Sequence, residues 1–319
     1  MTPADALAAV AVARLPDAFA RYQQEPEQLP PGVPGKVGLL DLRFEARAGR
    51  TVLVWDYSTG LQQVGRALYL DRALPGMAFA LVQSVGGGVV QGDRLGLDLA
   101  VGQGAQAHFT TQSATKIYEM ERNYATQVVR VRVEGGAYLE FLPDPLILYR
   151  NARFYQEVEL EVADDATLLF SDSVTPGRVA YGEMFDYDLL VTRIQARDPA
   201  GRLRFTDTMV LEPARRDPRR TAILGGRTNL GSLYVLTRQA CPDELAERLH
   251  RSVQHIPGID AGASQLPGSD GALVRVIGDG SGRVGAALHC AWQVTRELIL
   301  GVSVPGIHKL KHGTEPKIP

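Results

Sequence analysis

Residues 84–118 read SVGGGVVQGDRLGLDLAVGQGAQAHFTTQSATKIY, and this stretch decides the fold. It joins a glycine run, Gly86, Gly87 and Gly88, to an aspartate held behind a glycine, Asp93, and then to a strand of strict alternation. A second glycine-rich turn leads into a second strand, whose end carries Thr110, Thr111, Gln112, Ser113 and Thr115. The second half of the stretch recurs. Residues 97–101, the turn Gly-Gln-Gly and residues 105–109 align with 129–133, Glu-Gly-Gly and 137–141, and again with 158–162, Ala-Asp-Asp and 166–170. Each unit is an alternating apolar strand, a three-residue polar turn, an alanine, and a second strand with a phenylalanine at the same offset, Phe109, Phe141 or Phe170. Period-two alternation around a short polar turn predicts a hairpin, and recurrence at about thirty residues predicts stacking. The expected architecture is therefore mainly β: stacked antiparallel hairpins in a helix-like arrangement.

Register has a chemical consequence. If the units stack in phase, the residues just past each phenylalanine share one edge: Thr110, Thr111 and Gln112, then Asp144, then Ser171 and Asp172. His108 and Glu140 hold equivalent positions, where the third unit has Leu169. Such a row could present donors and acceptors to a ligand. The same residue types are also ordinary strand-end chemistry.

Composition narrows the function classes. At 319 residues the chain is long enough for one large β domain with a smaller helical portion. A net charge of −2 and a pI near 6.3 give no electrostatic footprint for nucleic acid or an anionic membrane. Cys241 and Cys290 lie far apart, which argues against a zinc knuckle or a disulfide scaffold and for a reducing compartment. No apolar run is long enough to span a bilayer and the N-terminus makes a poor signal peptide, so a cytoplasmic protein is expected.

Thr2, Pro3 and Asp5 read as a helix start, continuing through alanine-rich sequence toward Tyr22. Pro30, Pro31, Gly32, Pro34 and Gly35 then form a stiff linker, so residues 1–35 are expected as a helical appendage and 36–319 as the β domain. Strands are expected at 37–44, 51–55 and 61–70, a hairpin at 187–196 and 202–211 around Asp198-Pro-Ala-Gly201, and a buried strand at 271–278. Leu245, Leu249 and Val253 predict a helix over 242–254, and the stripe Val284, Leu288, Trp292 and Ile299 predicts another over 283–301.

The inventory of reactive groups is thin. The glycine run lacks the helix and the Lys-Ser or Lys-Thr pair of a phosphate loop and reads as a tight turn. Asp93 is either a turn cap or a functional carboxylate. Glu140, flanked by Leu139 and Phe141, needs a partner if buried, and Arg178 is available; Glu140 and Glu183 could otherwise be the paired acids of an all-β hydrolase. The six histidines form no metal motif, His308 and His312 being four apart on an unpatterned tail. No serine occupies a nucleophile elbow and no Cys-His pair is suggested.

Four blocks in order carry a resemblance: GGVVQGDRL at 87–95, TTQSATKIY at 110–118, LEFLPDPLI at 139–147 and PGRVAYGEMF at 176–185. Together they resemble the UreD/UreH family of urease accessory proteins, closely over 37–236 and loosely beyond. Val85, Gln91 and Phe141 depart from the residues that the family often has there. The resemblance implies a mainly β protein with two helices that is a non-catalytic chaperone. It would bind apo-urease with a helical, UreF-like partner and a nickel-binding, UreG-like GTPase. It also implies that nickel crosses the protein in transit, with no permanent cofactor. A conduit needs weak, separated ligands rather than a closed cage. The candidates along it are Asp93, Glu140, Asp144, Asp172 and Glu183, with Thr110, Thr111, Gln112, Lys116 and Arg178 in support.

Overall fold

A computed structural model describes residues 8–23 and 36–306. In chain order its first strands are β1 (Val37–Arg47), β2 (Arg50–Thr59), β3 (Gln62–Val64), β4 (Ala78–Ser84), β5 (Arg94–Val101), β6 (Gln106–Thr111), β7 (Thr115–Ile117), β8 (Ala125–Val133) and β9 (Tyr138–Phe141). There follow β10 (Leu146–Leu148), β11 (Arg153–Val162), β12 (Thr167–Thr175), β13 (Leu189–Arg197), β14 (Leu203–Leu211) and β15 (Asn229–Leu236). Helix α1 (Pro242–Val253), β16 (Ile259–Gln265), β17 (Gly271–Gly278) and helix α2 (Ser281–Leu300) complete the described chain.

The repeat units are not hairpins. Strands β5, β8 and β11 lie side by side in one sheet, of order β14-β13-β11-β8-β5-β1-β2, whereas β6, β9 and β12 belong to the second, of order β16-β17-β15-β12-β9-β6-β4-β3. Each polar turn carries the chain from one sheet to the sheet facing it, and neighbouring units pair in parallel. This is a β-solenoid-like arrangement. The reason is burial: a hairpin would keep both strands in one sheet, whereas an arc turns the apolar sides of both strands toward each other, closing Leu97, Val129 and Val158 against Ala107, Leu139 and Leu168. The register is the one the repeat predicts, Leu97 beside Val129 beside Val158, and Phe109 beside Phe141 beside Phe170. The phenylalanines form a ladder, with ring centroids 5.2 Å apart between Phe109 and Phe141 and 5.4 Å between Phe141 and Phe170.

True antiparallel pairing occurs where the alternation is not repeated. The hairpin β13–β14 forms around Asp198 and Gly201 as expected, and β15 and β17 pair in register. Glycine begins β17 because Gly271 adopts φ +130° and a Cβ there would lie 1.9 Å from the Val235 carbonyl oxygen. Of the strand expected at 61–70 only Gln62–Val64 forms, with one further bridge from Leu68 to Phe79.

Both C-terminal helices are where their apolar periodicity places them, and they pack on the second sheet. Leu245, Leu249 and Val253 of α1 and Val284, Ala287, Ala291 and Trp292 of α2 share a core with Leu233, Val235, Val274 and Val276. At the other end of the chain, the residues of the expected helix start, Thr2, Pro3 and Asp5, lie outside the described residues, as does the linker Pro30 to Gly35. Within 8–23 a 3-10 helix covers Asp17–Tyr22, and Phe19 is buried against Tyr124, just before β8, and Tyr155 of β11, at centroid distances of 5.1 and 6.0 Å. Arg130 donates to the Ala9 carbonyl at 2.6 Å. The segment 8–23 is therefore held on the β domain by an aromatic anchor.

Candidate functional site

The most strongly organised polar group is buried between the second sheet and α2. In-register stacking sets His108 of β6 beside Glu140 of β9, and the His108 Nδ1 lies 2.7 Å from Glu140 Oε2. Glu140 Oε1 accepts from the Tyr138 hydroxyl and from Arg296 Nη1, each at 2.9 Å. Arg296 also donates through Nη2 to Asp71, in the loop before β4. Glu140, His108 and Arg296 are fully buried and Asp71 nearly so. Burial by itself would push the Glu140 carboxyl up. The hydrogen bond from His108 and the charge of Arg296 outweigh it and hold the carboxyl below the usual carboxylate range.

This corrects the partner expected for Glu140. Arg178 is paired with Glu183 instead, through Nε at 2.8 Å and through Nη2, and stacks on Tyr149 with its guanidinium carbon 4.1 Å from the ring centre. The signal for Arg296 was present in the sequence, because Arg296 continues the stripe Val284, Leu288, Trp292 by one more step of four, placing a cation on a buried face. A charge there requires a buried counter-charge. Which one cannot be read from the helix.

Two cavities flank the strand ends that carry the predicted polar row. The larger, about 180 Å³, lies between the second sheet and the N-terminal half of α2, and its wall includes His108, Thr110, Asp144, Ser171, Ser173 and His289. The smaller, about 40 Å³, opens between the two sheets above the phenylalanine ladder, where Thr111, Asp144, Ser171, Asp172 and Ser173 meet the hydrogen-bonded pair Gln127–Gln156. Pro143, Asp144, Ser171 and Ser173 border both. Four of the expected residues, Thr110, Thr111, Asp144 and Asp172, thus come together. Thr110 donates to the Leu142 carbonyl at 2.6 Å, and Thr111 Oγ1 accepts from the Asp144 amide at 2.9 Å, which fixes the turn carrying Asp144.

The remaining candidates lie elsewhere, and Asp93, Glu140 and Glu183 line neither cavity. Asp93 is a turn cap: its fully buried carboxylate accepts from the Lys36 and Val90 amides, both at 3.0 Å, and so joins the start of β1 to the start of β5. Burial pushes its carboxyl up, against the pull of those two amides. The glycine run beside it is a tight turn: Gly86 and Gly87 have φ of +104° and +85°, and a Cβ on Gly88 would sit 2.7 Å from the Lys116 carbonyl oxygen. Gln112 and Lys116 border a separate cavity of about 120 Å³ against that turn. Glu183, held below the usual carboxylate range by its hydrogen bond to Arg178, closes the loop around Val179–Tyr181. Glu140 and Glu183 are each consumed by their own ion pair, and that arrangement gives no support to a two-carboxylate hydrolase.

Asp172 has a measurable signature. Burial pushes its carboxyl up to about 6; Arg275 opposes the rise and Asp207 adds to it. A folded-state pKa above the unfolded one, near 4, means that the folded chain binds the proton more tightly. The stabilisation is fully present below about pH 4 and is lost as pH rises through 6. Asp172→Asn, which has no proton to lose, is expected to gain on the order of 1 kcal/mol over the unmutated chain at pH 7.5 and nothing at pH 4. Urea midpoints at the two pH values measure this, and equal differences at both would refute it.

Among the described residues, no three or more His, Cys, Asp or Glu side chains are grouped as a metal cage, and no helix is long and apolar enough to cross a membrane. What the fold presents is a β-solenoid-like scaffold with a helical flank, a charge-bridged core and two small cavities that share a wall. A family model described as UreD urease accessory protein matches residues 36–308. The chain is 40% identical over 286 residues to urease accessory protein UreD 2 of Streptomyces griseus, covering 89% of this chain and 97% of that one. It is 38% identical over 289 residues to UreD 2 of Brucella suis, covering 90% of this chain and 96% of that one. To UreD of Photorhabdus laumondii it is 38% identical over 289 residues, or 90% of each chain. The chain belongs to the UreD family of urease accessory proteins.

Proposed function

We propose that this chain is a non-catalytic scaffold of urease maturation, acting in the cytoplasm. It binds apo-urease together with a helical, UreF-like partner and a UreG-like GTPase, and it passes Ni²⁺ toward the urease active site. Family membership supports the maturation role. The observation that supports transit is the shared wall: Asp144, Ser171 and Ser173 border a cavity on each side of the second sheet. The route is carried by Asp144 and Asp172 with Thr110 and Thr111. Asp93 and Glu183 hold turns outside it. Separated single carboxylates and hydroxyls bind a hydrated divalent ion and release it again.

The test is reconstitution. Apo-urease, both partners, GTP, bicarbonate and nickel should yield active urease only when this chain is added. The double variant Asp144→Asn, Asp172→Asn should still assemble with its partners, yet slow nickel incorporation at least tenfold. Activation at the full rate without the chain would end the scaffold reading, and full-rate incorporation by the double variant would end the transit route.

A further inference from the structure

The His108 imidazole has an unusual setting. Its ring is clamped between Phe79, stacked at 4.6 Å and 20°, and Trp292 at 5.4 Å, so it cannot turn freely. The Glu140 carboxylate can only accept, so Nδ1 carries the proton of their hydrogen bond. That leaves Nε2, which is buried and has no hydrogen-bond partner, on a residue lining the cavity of about 180 Å³. Buried nitrogens without partners are rare in folded proteins and point to something that completes them.

Charge says what that is. The cluster contains two carboxylates, Glu140 and Asp71, against one guanidinium, Arg296. A cation bound at Nε2 answers both: the lone pair gains a partner and the excess negative charge is met. A carboxylate on one ring nitrogen and a metal on the other is also how proteins orient and strengthen imidazole ligands. Here Glu140 is itself fixed by Tyr138 and Arg296, so the ring is set before any ion arrives. Asp144 borders the same cavity.

We propose that His108 Nε2 is an imidazole ligand for one divalent transition-metal ion in this cavity, with Asp144 and water completing its coordination. Glu140 then acts as a positioning residue for His108 and is not itself a ligand, because both of its oxygens are occupied within the protein. The inference deepens the transit reading and rests on it for the identity of the ion. An imidazole step discriminates nickel from magnesium, which prefers oxygen ligands and holds its waters.

The experiment uses the full chain with His308 and His312 replaced by alanine, so that the tail binds no metal. Crystals soaked in Ni²⁺ and measured at the nickel absorption edge are expected to show one anomalous peak at bonding distance, about 2 Å, from His108 Nε2. In solution His108→Phe should abolish that binding, Glu140→Gln should weaken it by roughly 10–100-fold, and excess Mg²⁺ should not displace the nickel. A peak elsewhere or none, binding unchanged in His108→Phe, or displacement by Mg²⁺ would each overturn the proposal. The crystal readout needs no core substitution, so a variant that fails to fold does not protect the idea. It is also independent of urease: a chain that binds nickel at His108 but does not support activation overturns the transit reading alone.

Discussion

Arg296→Met is expected to cost about 3–5 kcal/mol of stability, the largest loss from any single change in the charged core. The guanidinium is fully buried and bridges Glu140 on β9 to Asp71 before β4. Methionine fills much of the volume but leaves two carboxylates without a counter-charge in an apolar setting. Their desolvation is then uncompensated, which is why breaking a buried pair costs more than the intact pair contributes. Urea unfolding at neutral pH measures the loss. The triple variant Arg296→Met, Glu140→Gln, Asp71→Asn should recover more than half of it, because the penalty belongs to the orphaned charges. A single variant within 1 kcal/mol of the unmutated chain, or a triple variant no better than the single, would show that the bridge is not what holds α2 to the sheet.

Phe141→Ala should be nearly as severe, at about 3–5 kcal/mol. Phe141 is the middle rung of the ladder, 96% buried between Phe109 and Phe170, and the ladder continues through Tyr234 to Phe205 at centroid distances of 6.0 and 5.4 Å. Removing Phe109 would break one rung contact; removing Phe141 breaks two and leaves a void that parallel, in-register neighbours cannot close. The void would also join the cavity of about 40 Å³ that Phe141 lines. Thermal and urea unfolding of Phe141→Ala and Phe141→Leu give the measurement. Leucine should recover at least half of the loss, and an alanine variant costing less than 1 kcal/mol would mean that the solenoid core tolerates a missing rung.

Much of this molecule was legible before any coordinates. Strict alternation with Phe109, Phe141 and Phe170 at one offset predicted which residues would be neighbours, and they are. The helices and the buried strand over 271–278 followed from apolar periodicity. The candidate site was half legible: the shared register of His108 and Glu140, and the convergence of Thr110, Thr111, Asp144 and Asp172, came from the repeat. Asp93 and Glu183 did not join them, because a carboxylate in a glycine turn looks the same from the sequence whether it caps amides or binds a ligand. The four motif blocks identified the family, and they did so without saying which residues touch one another.

By itself the sequence determined the period of each strand, the phase between repeat units and the apolar faces of both helices, all local properties of side-chain spacing. Only the tertiary structure decided that each polar turn would cross between sheets instead of closing a hairpin, since alternation is identical in the two and the difference is which apolar face is offered to which. It also decided that Arg296 would meet Glu140, residues 156 positions apart. A buried cation demands a counter-charge through solvation physics, but which carboxylate answers is settled by how α2 lies across the second sheet.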